Sequence, residues 1–154
     1  MPDTPAVQQV PPSIERVLSR FRMLSREEKM SALVQYSRKL EPLPERFRGL
    51  DRDAFTVPEC QTRVDIFPEW RNGLMHYYAD VNAKQSPTVA AVLAIVFQAV
   101  NDQPPAVTLG IPQDFVRQLM ESIGLGARES GLAAMIARLK RHAASPEAFA
   151  APAG

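Results

Sequence analysis

The chain has 154 residues, 45% apolar and 23% charged, the proportions of one globular domain with enough apolar side chains for a core. Its 18 Lys and Arg against 17 Asp and Glu leave a formal charge of +1, interspersed along the sequence, so no strong field favours nucleic acid or an anionic membrane. No apolar run is long enough to span a bilayer, no secretory pattern opens the chain, and one cysteine rules out an internal disulfide, so a reducing cytoplasm is the expected location.

Residues 1–12, rich in Pro, Gln and Thr, are expected to be mobile, ahead of a single domain over 13–144. Ser13 is placed to cap a first helix to about Met23, with Ile14, Val17, Leu18 and Phe21 at helical spacing. Ser25-Arg26-Glu27-Glu28 reads as a capping box, because serine and glutamate can each take one free backbone N–H at a helix start. The helix it opens is expected to bury Met30, Leu33, Val34 and Ser37, and Pro42 and Pro44 end it near Leu40.

The helical period is lost from Arg46 to Pro58. Val64, Ile66 and the run Leu74 to Val81 predict two strands joined at Asn72-Gly73, residues that readily accept positive φ. Ser86-Pro87 then starts an apolar helix over 88–100, and Asn101 to Gly110 reads as a proline-containing connection. A further helix is expected from Pro112, burying Phe115, Val116, Leu119 and Met120. Gly124 and Gly126 break the chain before a last helix near Arg128 to Ala143, with Leu132, Met135, Ile136 and Leu139 inward. The Ala/Pro tail, 145–154, is expected to be disordered. The class implied is α+β, a small antiparallel sheet covered by helices, since two or three strands do not persist alone in water.

The candidate for chemistry is Cys60, in Val57-Pro58-Glu59-Cys60-Gln61-Thr62-Arg63-Val64. Pro58 extends its predecessor and a strand begins just after, so the sulfur falls at a loop–strand junction within a partner's reach. Arg63 favours a thiolate there and Glu59 opposes it, and sequence leaves the balance open. His76 and His142 stand far apart in sequence, and no Cys or His pair has metal-ligand spacing, so no metal is expected. His76, Trp70, Tyr77 and Tyr78 read first as packed sheet residues, and Met120 and Met135 as core filler.

Glu59-Cys60-Gln61-Thr62-Arg63-Val64 resembles the Gly-Cys-Gln-Ser-plus-strand signature of the SufE family, whose fold is related to IscU-type scaffolds. Ala79-Asp80 ahead of Val92-Leu93-Ala94-Ile95-Val96-Phe97 is similar to a second family segment. Ala127-Arg128-Glu129-Ser130-Gly131-Leu132 with Met135-Ile136 is similar to a third, and the three fall in family order. Glu59 stands in place of the family's glycine, and Asp65 where a large hydrophobic residue is common.

The resemblance implies a protein that takes persulfide sulfur from a cysteine desulfurase (SufS-like, with pyridoxal phosphate) onto Cys60. It would then pass the sulfur to an iron–sulfur scaffold (SufBCD-like), stimulating the desulfurase and holding no cofactor of its own. Arg128, Gln61 and Asp80 are the partner-binding residues it implies, and Cys60 would sit partly sheltered and swing out on docking. Two other readings stand beside it. One is a SufE-like interaction module without sulfur transfer; the other is a hydrolase with Cys60 as nucleophile and a histidine base.

Overall fold

The computed structural model describes residues 10–60, 63–121 and 126–150. Helices α1 (Pro12–Met23) and α2 (Arg26–Ser37) lead through two short 3-10 turns, Glu45–Phe47 and Arg52–Phe55, into strands β1 (Asp65–Arg71) and β2 (Leu74–Asp80). Helices α3 (Pro87–Val100), α4 (Pro105–Leu109), α5 (Phe115–Met120) and α6 (Gly126–Ala144) follow, with a final 3-10 turn at Pro146–Phe149. This is the α+β class expected from the sequence.

The hairpin forms where the turn chemistry puts it. Asn72 at φ 55° and Gly73 at φ 79° supply the two positive values a tight two-residue connection needs, and β1 pairs antiparallel with β2 from Asp65↔Asp80 to Arg71↔Leu74. Directly opposed residues share a face. Ile66 with Ala79, and Trp70 with Met75, therefore turn together toward the helices. Phe67 with Tyr78 turns the other way, where Phe47 and Phe55 of the 3-10 turns lie 5.2 and 4.8 Å from the Phe67 ring.

The outer edge of β2 is closed by the chain leaving α3. Met75 N–H donates to the Gln103 carbonyl at 2.9 Å, and the Asn101 side chain bonds both Tyr77 N–H (2.7 Å) and Tyr77 carbonyl (3.1 Å). Asp102, at φ 62°, makes the sharp corner that lets these contacts form. Behind the sheet α3 is buried on nearly every side, from Thr88 to Val100, with α2 and α1 packed on it.

Several expectations are corrected. Helix α1 starts at Pro12, so Ser13 lies within the first turn and is not the cap; proline's fixed φ suits that position. The Ser25–Glu28 capping box is present, with bonds of 3.1 and 2.8 Å. Helix α2, however, buries Lys29, Ala32 and Leu33, while Met30 and Val34 are 41% and 42% exposed. The two stripes share Leu33, and packing chooses between them. Small Ala32 faces the core, the Tyr36 ring reaches within 6.4 Å of Phe21, and the long Lys29 stem is buried beside them. The 101–110 connection contains α4, whose buried Thr108 hydroxyl bonds Tyr77 Oη at 2.8 Å. Of the tail, Pro146–Phe149 form a 3-10 turn, Phe149 meets His142 edge-on at 4.7 Å and Ala150 bridges to Trp70, while 151–154 lie outside the described residues. Helix α5 begins at Phe115 and buries the four residues expected, as α6 does with Leu132, Met135, Ile136 and Leu139.

Candidate functional site

Cys60 sits in a loop pinched at its base and seated on α6. Val57 N–H donates to the Val64 carbonyl at 2.8 Å, and both side chains are buried, so the loop closes on an apolar neck. Within it, Cys60 N–H reaches back to the Val57 carbonyl at 3.3 Å, a turn that Pro58 favours. From α6, Arg138 Nη2 donates to the Thr56 carbonyl at 3.1 Å and ties the entrance of the loop to the helix.

The loop tip meets α6 at a glycine. A Cβ on Gly131 would stand 3.3 Å from Cys60 Cα, 3.3 Å from Glu59 O and 3.5 Å from Cys60 Sγ. Any other residue would press directly on the loop backbone. The gap left by the missing side chain brings the Cys60 thiol to 3.4 Å from the Gly131 carbonyl, which accepts a weak S–H hydrogen bond. Cys60 is half-buried against the margin of the core. Burial, and then the neighbouring Glu59 charge, push the thiol above its ordinary value. The resting group is a protonated thiol, half-buried beside α6.

Arg63, the cation nearest in sequence, does not serve the sulfur. Its Nε bonds Asp65 Oδ2 at 3.2 Å and its Nη2 bonds Asp53 Oδ1 at 3.3 Å. Asp65, 1% exposed, buries a carboxylate with partners: Arg63, the Thr56 hydroxyl, and Arg52 Nη1 at 3.7 Å. Asp80, beside Asp65 in the sheet, pairs with the same Arg52. This network braces the strand ends below the cysteine loop.

Of the residues implied as partner contacts, Asp80 is thus half-exposed and already ion-paired. Arg128 belongs to the first turn of α6, three residues before Gly131 in sequence, but its side chain lies outside the described residues, as does Gln61 altogether. Neither histidine serves Cys60. His76 lies four residue pairs along the sheet from Asp65, roughly 13 Å. Both its ring nitrogens are occupied, Nε2 by Glu41 at 2.7 Å and Nδ1 by Asp102 at 2.9 Å. His142 follows Gly131 by 11 residues on α6, about 16 Å along the axis, and is buried. The hydrolase reading therefore lacks its base. Among the described residues no three His, Cys, Asp or Glu side chains converge as metal ligands.

Gly131 and Arg138 hold the loop, and neither was assigned a role from sequence alone. Gly131 carried a signal, a glycine inside an otherwise helical apolar pattern, which costs about 1 kcal/mol and implies a packing reason. Arg138 carried none.

Residues 15–143 match the SufE family, the Fe-S metabolism associated domain. The chain belongs to the SufE family. Uncharacterized SufE-like proteins from two strains of Mycobacterium tuberculosis are each 30% identical over 141 residues, spanning 86% of this chain and 92% of theirs. The solution structure of a hypothetical protein from Thermus thermophilus superposes with a TM-score of 0.76 at 26% identity, covering 91% of this chain and 99% of that one. A SufE domain with this one cysteine works in iron–sulfur-related sulfur handling. No helix among its described residues is long and apolar enough to cross a membrane.

Proposed function

We propose that this SufE protein accepts sulfur on Cys60 from a cysteine desulfurase of the SufS type and delivers it to a SufBCD-type iron–sulfur scaffold in the cytoplasm. The observation that carries the reading is the seating of the cysteine loop: a half-buried thiol, bonded to the Gly131 carbonyl, at the tip of a loop anchored at its neck. A persulfide carrier needs such a place, because a fully exposed persulfide is lost to stray thiols and a sealed one cannot be loaded.

In the transfer, the Cys60 thiolate attacks the outer sulfur of the desulfurase persulfide. The new Cys60 S–S bond forms as the bond to the donor cysteine breaks, and that cysteine leaves as a thiolate and takes up a proton. Sulfane sulfur moves and no oxidant is consumed. Clearing the persulfide frees the desulfurase, which holds the catalytic cofactor, for another turnover. This chain is then an activator and carrier, not a stand-alone catalyst. Arg128, Gln61 and Asp80 are the proposed contacts with the desulfurase, and Asp80 would exchange Arg52 for a partner cation.

Desulfurase turnover with wild-type chain and with Cys60→Ser tests the reading. Stimulation by wild type alone supports a sulfur acceptor. Equal stimulation by Cys60→Ser overturns it in favour of an interaction module without transfer.

A further inference from the structure

The loop that offers the thiol also carries a charge placed against it. Glu59 is exposed and precedes Cys60 directly, its own carbonyl lies where a Cβ on Gly131 would stand 3.3 Å away, and its charge acts on the Cys60 thiol. Among the described side chains, the arginines around the loop have partners other than Glu59: Arg63 has Asp65 and Asp53, Arg52 has Asp80 and Asp65, and Arg138 has the Thr56 carbonyl. An incoming protein meets this carboxylate as it meets the sulfur.

A negative charge beside a thiol disfavours the thiolate, and the thiolate is the nucleophile. The Gly131 carbonyl works in the same direction, because it accepts a bond only from the protonated sulfur. A cation brought up to Glu59 reverses the first effect at the moment of docking. We propose that Glu59 selects the sulfur donor, so that Cys60 reacts best with a protein partner that presents a Lys or Arg side chain beside its own sulfur. This inference rests on the sulfur-acceptor reading for the partner's identity, but its chemistry belongs to the loop alone. It also predicts a salt dependence, because a rim charge acts mainly on encounter and is screened by ions.

Small disulfides separate the charge effect from the partner. Cystamine carries two ammonium groups, and 2-hydroxyethyl disulfide is its neutral counterpart. In each, the Cys60 thiolate attacks one sulfur, a mixed disulfide forms, and the other half leaves as a thiol, so atoms and electrons balance without added oxidant. The rate ratio of cystamine to the neutral reagent is compared in the wild-type chain and in Glu59→Gln. The ratio should be roughly three- to fivefold larger in wild type at low salt, the size an exposed charge pair supports, and should converge at high salt. An identical ratio in both proteins overturns the proposal.

Persulfide transfer from a desulfurase is the second arm. Glu59→Gln should accept sulfur more slowly while its thiol reacts faster with the neutral reagent, opposite signs that a damaged loop would not give. Transfer as fast as wild type would overturn the assignment of a basic partner. No transfer to the wild-type chain would sink the sulfur-acceptor reading and the partner with it, whereas the reagent ratio would still report the charge effect.

Discussion

Gly131 of α6 and Cys60 of the loop before β1 lie 71 residues apart in sequence and meet through the thiol and a main-chain carbonyl, 3.4 Å apart. Gly131→Ala should separate the two contributions at this contact. Alanine gains about 1 kcal/mol of helix propensity, while its Cβ presses on the loop backbone at 3.3 Å. Net stability should change by less than about 1 kcal/mol. Alkylation of Cys60 by a neutral reagent should rise several-fold as the loop lifts. Unchanged alkylation would show that the seat does not shelter the thiol.

Asp65 makes a second prediction, because it is buried and shared among Arg63, Arg52 and Thr56. Asp65→Asn keeps the shape but turns an amide toward arginine donors, and should cost about 2 kcal/mol in urea unfolding. Asp65→Leu should cost less. It removes the buried polar group altogether, and both arginines keep exposed partners in Asp53 and Asp80. The reverse ranking would mean that the network, and not the strand position, holds this end of the sheet.

The histidines bend the stability profile in opposite directions. Burial draws His76 down, but hydrogen bonds to Asp102 and Glu41 outweigh it and raise the group above 6.5. A neutral imidazole has one N–H and can satisfy only one of those carboxylates. Stability from His76 is therefore complete below the unfolded value and lost as pH rises through the raised folded value. Unfolding midpoints at about pH 6 and pH 8 should show this loss, and His76→Gln should remove it. A slope that persists in His76→Gln would assign it to another group.

His142 acts on the acid side. Burial, with Arg138 and Arg141 nearby, pushes it down from 6.5 to about 4. Its contribution is present above the unfolded value and is lost as pH falls toward about 4, by at most roughly 3 kcal/mol. His142→Phe should flatten that limb of the profile, and an unaltered acid limb would contradict the assignment.

Local chemistry was the legible part of this fold. The Ser25–Glu28 box and the Asn72-Gly73 turn are decided by residues within a few positions of each other, and both formed where the sequence puts them. The buried face of α2 was not legible, because two stripes sharing Leu33 satisfy the same periodicity and only contact with α3 chooses between them. The 3-10 turn at Pro146–Phe149 depends likewise on His142 and Trp70 being in reach. At the site, Cys60 and its loop–strand position could be read from sequence. The direction of the thiol's shift could not, since Arg63 turns to Asp65 and the carbonyl that accepts the S–H comes from a distant helix.

The proposed role requires Cys60 to take a sulfur atom from another protein. Intact-mass and peptide mass spectrometry after incubation with a cysteine desulfurase and free cysteine measures this directly. The chain should gain one sulfur atom, located on the peptide carrying Cys60 and removed by a reductant. An unchanged mass, under conditions where the desulfurase itself becomes persulfidated, would contradict it.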